Sequence, residues 1–139
     1  MKILFAVDGS DYTRRALDYL ETHDWLRAGN HVTVFTAVPP VPHRAAAFAG
    51  PQLTHLYYDS DAQTVLGPIR ERLAGCAADI AYAHVVGHVG QAIADRATSG
   101  HFDLIVMGSH GHGALANVVL GSVATRVLAS CTTPVLLVR

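Results

Sequence analysis

Residues 103–123 read DLIVMGSHGHGALANVVLGSV, and this stretch contains the pattern that decides the fold. It begins with an apolar run, which is typical of a β-strand buried on both faces of a parallel sheet. Three closely spaced glycines follow, and a Gly-Ser pair at 121–122 precedes a second apolar segment with helical spacing. The stretch therefore predicts a strand over 103–108, a glycine-rich connection, and a helix over about 121–130.

The same two patterns alternate along the rest of the chain. Short apolar runs predict further strands, and apolar residues at helical spacing predict further helices. The strands cover 2–7, 31–38, 80–86 and 134–138, and the helices cover 11–28, about 61–77 and 91–99. The order β-α-β-α-β-α-β-α-β predicts a single-domain α/β protein with an open five-stranded parallel sheet and helices on both faces.

Two strand orders fit this alternation. Ligands of parallel sheets bind at the carboxyl ends of the strands, where the strand order reverses. Asp8 follows the first strand and Gly108 closes the fourth, so a ligand that touches both requires the order 3-2-1-4-5. The order 2-1-3-4-5 would place the crevice between the first and third strands, where residues 86–88 offer less polar chemistry. We therefore expect the order 3-2-1-4-5.

The segment 39–60 is the hardest to interpret. Prolines at positions 39, 40, 42 and 51 predict an absence of regular structure in its early part. A connection of this length in a compact domain is often functional or mobile. Because it follows a strand end at Val38, we hypothesise that it covers the ligand as a lid.

The composition limits the classes of function. The 139 residues fit one domain, and a hydrophobic fraction of 50% with 15% charged residues supports a packed core. A net charge of −1 without a basic cluster argues against nucleic acid as a partner. The apolar run ending at Val7 is too short for a signal peptide, and no run has the ~18 residues of a membrane span. With Cys76 and Cys131 isolated, we expect a cytoplasmic protein with reduced thiols and no membrane partner.

The glycine-rich connection has the chemistry of a phosphate-binding loop. Glycine allows the backbone to approach a phosphate closely and to adopt positive φ angles. Consecutive N–H groups form a concave anion site, and a helix N-terminus adds unpaired donors and the positive end of the helix dipole. The alternative is structural, with the glycines as turns and Ser122 as a helix cap. Neither the Walker A pattern nor a G-x-G-x-x-G after the first strand is present.

The spacing of the loop residues is specific. Gly108, Gly111, Gly121 and Ser122 match G-x2-G-x9-G-[ST], the nucleotide-binding signature of the universal stress protein family. The segments VDGS, DLIVMGSHG and TTPVLLVR also resemble that family. The likeness extends along the whole chain and is weakest over 39–60. It implies one universal stress protein domain over 1–139, with a Rossmann-like fold of the adenine nucleotide alpha hydrolase type.

The resemblance also implies a ligand and its contacts. The cofactor would be ATP, or else AMP or ADP, with Mg²⁺ or Mn²⁺ bridging the phosphates. Asp8 and the backbone near Ala6 and Val38 would hold the adenosine, and Met107 and Gly108 would lie along the ribose and phosphates. The phosphates themselves would be held by N–H groups and a hydroxyl of Gly111, Gly121, Ser122 and Val123.

Histidines at 110 and 112 stand where family members often carry arginine, and we include His110 among the expected nucleotide-binding residues. A neighbouring phosphate favours a protonated imidazole, so we hypothesise that triphosphate affinity rises as the pH falls from 8 to 6. The alternative is that His110 and His112 both point to solvent. Two histidines at this spacing with no nearby cysteine define no coordination geometry, so we expect no metal site here.

Efficient catalysis is not expected from this sequence. It has no G-x-S-x-G elbow, and its only lysine is Lys2, so we name no catalytic residue and expect at most slow ATP hydrolysis. The leading hypothesis is an ATP-binding stress-response protein that acts through nucleotide-dependent conformation or partner binding. The alternatives are a weak ATPase or nucleotide hydrolase, and a dimeric scaffold that no longer binds nucleotide.

The last apolar run, over 134–138, predicts either an edge strand or an internal strand covered by helices. An exposed apolar edge is a template for pairing with another chain. The family pairs this strand with its copy in a second subunit, so the resemblance implies a homodimer. Since Arg139 is the final residue, we expect nothing to cover the edge.

Overall fold

The computed structural model describes residues 1–113 and 117–139. Strands and helices alternate, except that two helices follow the second strand. In chain order the elements are β1 (Lys2–Ala6), α1 (Asp11–Thr22), β2 (His31–Val38), α2 (His43–Ala49), α3 (Pro51–Arg72), β3 (Asp79–Val86), α4 (Val89–Ser99), β4 (Leu104–Gly108), α5 (Ser122–Ser130) and β5 (Val135–Val138).

The five strands form one parallel sheet with the order β3-β2-β1-β4-β5. The predicted order 3-2-1-4-5 is therefore confirmed. In the central strand, Phe5 lies beside Val34 on β2 and Val106 on β4. This register brings the carboxyl ends of β1 and β4 together, at the point where the strand order reverses.

Alternate residues of β1 enter two separate cores, one on each face of the sheet. Phe5 packs in the core that includes residues of α1 and α3, whereas Leu4 packs in the core that includes residues of α4 and α5. Both side chains are fully buried. Burial of a side chain of this size contributes about 1.5–3 kcal/mol, so the sheet is held by helices on both faces, as predicted.

Most element bounds agree with the prediction to within two residues, and α1 is an exception. Its N-cap Ser10 accepts a hydrogen bond from the Thr13 N–H, as a capping serine should. The predicted end at residue 28 is wrong, because the helix ends at Thr22 and Asp24 adopts a φ of 58°. That left-handed conformation is incompatible with a continuing α-helix.

Residues 39–42 are irregular, as predicted, but most of the rest of the segment 39–60 is helical, so the interpretation of the whole segment as a loop is wrong. α2 begins directly after Pro42, and α3 begins at Pro51 rather than near residue 61. Proline is unfavourable chiefly in the interior of a helix; at the first helical position its fixed φ suits the helix and its missing N–H needs no partner. Gly50, with a φ of 84°, separates the two helices.

The first half of α3 and the preceding α2 expose apolar side chains. Phe48 is 94% exposed, and Leu53, Leu56 and Tyr57 are each more than half exposed. α3 has 22 residues and Pro68 in its interior. Within 1–113 and 117–139, no helix combines the length and the apolar character needed to cross a membrane.

Candidate functional site

A cleft of about 420 Å³ opens at the carboxyl ends of β1 and β4. Its walls come from the end of β1, the connection after β4 and the first turn of α5, with α4 on one side. Nine residues expected at the site from the sequence line it: Ala6, Asp8, Met107, Gly108, His110, Gly111, Gly121, Ser122 and Val123. The fold therefore brings together residues that lie more than a hundred positions apart.

Val38 is the one expected site residue that does not line this cleft. It is buried at the end of β2, and its carbonyl oxygen accepts a hydrogen bond of 3.0 Å from the Gly87 N–H. Sequence reasoning also missed several lining residues. These include Val7 and Thr13 near β1, Val89 and Ile93 on α4, and Val118 and Ala124 around the start of α5.

The carboxylate of Asp8 is fixed by the first turn of α1. Its Oδ1 accepts hydrogen bonds from the Ser10 N–H at 2.9 Å and from the Thr13 hydroxyl at 2.8 Å. The Thr13 oxygen also accepts a bond of 3.0 Å from the Asp8 N–H. Because Thr13 is buried and both of its bonds are to one residue, Asp8 is held in a single orientation.

The motif glycines are required by close approach and not by positive φ. A Cβ at Gly108 would lie 2.5 Å from the Tyr12 Cβ, and one at Gly111 would lie 2.9 Å from Oδ2 of Asp8. A Cβ at Gly121 would lie 3.0 Å from the His110 Cα. The expected positive φ angles are absent here; among the described glycines they occur at positions 9, 29 and 50. Side chains at the three motif positions would therefore fill or distort the cleft.

The first turn of α5 presents backbone N–H groups to the cleft. Gly121 is the N-cap, and its own N–H donates to the Ser109 carbonyl at 2.8 Å. The N–H groups of the next three residues have no partner within the helix, and Ser122, Val123 and Ala124 all line the cleft. No side chain caps this helix, so the alternative of Ser122 as a cap is wrong. These donors and the helix dipole favour an anion.

Both histidines of the connection contact backbone carbonyl oxygens, and neither ring simply points to solvent. Nε2 of His110 lies 2.7 Å from the Val118 oxygen, and its Nδ1 lies 2.9 Å from the Ser109 hydroxyl. Nε2 of His112 lies 2.7 Å from the Asp8 carbonyl oxygen. The rings thus join parts of the cleft wall to one another.

The charges around the cleft are sparse. Among the described lining residues, Asp8 is the only one with a carboxylate, and none is a lysine or an arginine. An anion would therefore rely on N–H dipoles and would lie near α5, away from the Asp8 carboxylate. The described residues contain no cluster of three potential metal ligands. Hydrogen bonds with Glu21 and Asp18 raise the pKa of Arg72, and burial raises that of Tyr82, but neither residue lines the cleft.

Solved structures share this architecture. Hypothetical protein MJ0577 is 26% identical, with a TM-score of 0.81 and coverage of 99% of this chain and 94% of that one. A universal stress protein in complex with cAMP is also 26% identical, with a TM-score of 0.62 and coverage of 100% and 96%. UspA from Lactobacillus plantarum, at 22% identity and a TM-score of 0.82 over 100% and 97%, supports the fold alone. The adenine nucleotide alpha hydrolase-like fold is thereby confirmed.

Sequence relatives point to the same family. A universal stress protein of Thermus aquaticus is 33% identical over 99% of this chain and 97% of its own length. A universal stress protein of Mycolicibacterium smegmatis is 28% identical over 100% of this chain, which spans only 46% of that relative. The chain likewise spans 42% of a relative from Synechocystis, at 28% identity over 99% of this chain. The model of the universal stress protein family matches residues 1–139, and the chain belongs to that family.

Proposed function

We propose that this chain, as one domain over 1–139, binds an adenine nucleotide in the cleft between β1 and β4, with ATP as the principal ligand. The observation that carries the proposal is that the three first-turn residues of α5, whose N–H groups have no partner within the helix, line a cleft whose glycines permit close approach. Nucleotide binding would act in a stress response by changing the conformation of the protein or its contacts with a partner.

The charges suggest how the nucleotide would lie. The phosphates would occupy the α5 end, held by N–H groups of Gly111, Gly121 and Val123 and by the Ser122 hydroxyl. The Asp8 carboxylate would repel a phosphate but accept hydrogen bonds from a ribose hydroxyl or an adenine amino group. The backbone near Ala6 and Val38 would complete the adenosine contacts, with Met107 and Gly108 between base and phosphates. These assignments follow the G-x2-G-x9-G-[ST] spacing and the lining of the cleft.

One solved structure supports an adenine nucleotide. At 26% identity, it is a universal stress protein in complex with cAMP. A Mg²⁺ or Mn²⁺ ion, if bound with ATP, would take most of its ligands from the phosphates and would offset part of their charge.

We also propose a homodimer formed through the strand at 134–138. β5 lies at one end of the sheet, paired only with β4 in the described residues, and all four of its residues are half-buried. An apolar strand edge of this kind favours pairing with a second copy. Sedimentation equilibrium should give twice the chain mass; a monomer at micromolar concentration would contradict the proposal. A cytoplasmic location stays a prediction.

The decisive experiment begins with nucleotide release. Protein purified without added nucleotide is heat-denatured, and the supernatant is analysed by mass spectrometry; we expect an adenine nucleotide. Calorimetry then measures ATP affinity of the wild type and of Gly121→Val. Because a Cβ at this position would lie 3.0 Å from backbone of the loop, we expect affinity to fall about 10–100-fold. Gly67→Ala on α3, where a Cβ has no neighbour within 4 Å, is the matched control.

Unchanged ATP affinity in Gly121→Val would remove the site assignment. A multiple-turnover assay with Mg²⁺ would distinguish binding from hydrolysis. We expect stoichiometric binding with turnover that is absent or slow, because no lysine or arginine lines the described cleft to stabilise the charge of a transferring phosphoryl group.

A further inference from the structure

Two imidazole rings make hydrogen bonds from the connection between β4 and α5, of which the structure describes residues 109–113 and 117–121 and which we call the long connection. His110 bonds the Val118 carbonyl, further along the same connection and close to the start of α5. His112 bonds the Asp8 carbonyl, which follows β1. Gly111 of the motif lies between the two histidines.

The chemistry of these bonds fixes the protonation pattern of each ring. A ring nitrogen that bonds a carbonyl oxygen must donate, so Nε2 carries a proton in both histidines. Nδ1 of a neutral His110 then accepts from the hydroxyl of Ser109, which is buried. The Tyr12 ring lies against His110 with centroids 5.1 Å apart. His110 is thus held on three sides by groups of the protein.

The anchor used by His112 is itself rigid. Asp8 is fixed through its carboxylate by Ser10 and Thr13, which belong to the start of α1. A bond to the carbonyl of this same residue ties the long connection to a point that cannot easily move. Gly111, next to His112, lies close to the same residue, because Oδ2 of Asp8 is only 2.9 Å from where a Cβ of Gly111 would be.

We infer that His110 and His112 are positioning residues that preform the phosphate-binding loop before nucleotide arrives, acting as hydrogen-bond donors and not as charges on the phosphates. The inference rests on the proposed nucleotide site. A protonated imidazole keeps the Nε2–H donor, so gain of a proton does not break either tie. Asp8 and Tyr12 are the titratable groups that face these rings, through a carbonyl and a ring face respectively.

Preformation makes a kinetic prediction. If the loop is ordered in only a fraction of molecules, the observed association rate is the full rate multiplied by that fraction, while the dissociation rate of bound nucleotide is unchanged. We therefore expect the double variant His110→Leu/His112→Leu to bind radiolabelled ATP about tenfold more slowly in a rapid-filtration assay, with a dissociation rate within about twofold of wild type. Ligand-free hydrogen exchange should also be faster at the amides of Gly111 and Gly121.

Conservative variants separate a donor from a charge. Glutamine keeps an N–H donor but cannot be protonated, so the double variant His110→Gln/His112→Gln should restore association to within about threefold of wild type. The ratio of wild-type to glutamine-variant affinity should stay constant between pH 8 and 6. Taking this ratio removes the effect of ATP's own protonation, which is the same for both proteins. His31→Gln, at the amino end of β2 and thus at the end of the strands opposite the cleft, is the control imidazole.

Each outcome decides the inference. Slow association in the leucine variant with rescue by glutamine supports positioning. If glutamine fails to rescue and the affinity ratio rises as the pH falls, the histidines act as charges and the inference is overturned. If both double variants bind ATP as the wild type does, the inference is overturned and the proposed function stands. If the wild type binds no adenine nucleotide at all, both proposals fail.

Discussion

Two adjoining connections form walls of the cleft, and they are stabilised in different ways. The short connection between β1 and α1 spans Val7–Ser10, and its Asp8 carboxylate is held by residues two and five positions further along the chain. The long connection between β4 and α5 depends on ties to distant residues, including one between His112 and the Asp8 carbonyl. One wall is ordered by its own helix, and the other is ordered only once the sheet has assembled.

The difference indicates which wall can change conformation when a ligand binds. Local hydrogen bonds at a helix start form with the helix, so the short connection is as stable as α1. In the long connection, residues 109, 110 and 112 are instead held by a few hydrogen bonds, two of them exposed to solvent, each contributing about 0.5–1.5 kcal/mol. These contacts break more easily than those of the short connection, and ligand-binding loops are usually drawn from such less stable parts of a fold.

The largest effect is expected where the start of α1 packs against the end of β4. In Gly108→Val, the new Cβ would lie 2.5 Å from the Tyr12 Cβ and 3.2 Å from backbone atoms of Tyr12 and His110. We expect the free energy of unfolding to fall by about 3 kcal/mol, measured by urea denaturation. Gly67→Ala should instead stabilise α3 by about 1 kcal/mol. A fully stable Gly108→Val would refute the close packing.

Thr13→Val tests the short connection alone. The substitution preserves shape but removes both hydrogen bonds to Asp8, so we expect a loss of about 1–3 kcal/mol in the free energy of unfolding. Thr13→Ser retains the hydroxyl and should lose much less. If the valine variant were as stable as wild type, the order of this wall would not depend on the threonine.

Gly111→Ala tests the point where the walls meet without clashing with backbone. A Cβ there displaces the Asp8 carboxylate, and we expect ATP affinity to fall about tenfold, or about 1.4 kcal/mol, by calorimetry. Stability to urea should fall less than in Thr13→Val, because the contact is with Oδ2 whereas Ser10 and Thr13 bond Oδ1. In an Asp8→Ala background the same change should cost little, because the clashing oxygen is gone. Additive effects of the two substitutions would contradict this contact.

The smallest effect is expected from an exposed side chain of the long connection. Val119 is 78% exposed, so Val119→Ser should change the free energy of unfolding by less than about 0.5 kcal/mol. A loss above about 1 kcal/mol in urea denaturation would mean that this side chain, and not only the imidazole ties, stabilises the loop.

The sheet and most of the cleft could be predicted because the residues that indicate them stand together in sequence, at the carboxyl ends of apolar runs. Asp8 and Gly108 each end an apolar run, and parallel topology then requires their strands to be neighbours. The helical structure within residues 43–60 was missed because proline was interpreted as a breaker, although Pro51 occupies the one helical position that favours it. A proline followed by a long stretch without glycine is a signal that could have identified α3.

The remaining site features depend on tertiary structure. Val89 and Ile93 enter the cleft only because α4 packs beside α5, and the sequence around them carries no mark of a ligand. Thr13 could have been found from its place one turn after the capping Ser10. The partners of His110 and His112 could not, because they are carbonyl groups, which every residue possesses.

Ser109 makes hydrogen bonds both to β5 and to other residues of the long connection. Its N–H donates to the Val138 carbonyl on β5 at 2.8 Å, while its carbonyl accepts from Gly121 and its hydroxyl reaches His110. Ser109 therefore connects the edge strand proposed for dimerisation with the loop proposed for nucleotide binding. If a nucleotide shifts this residue, thermodynamic linkage demands reciprocity: ATP would alter the dimer equilibrium by the same factor by which dimerisation alters ATP affinity.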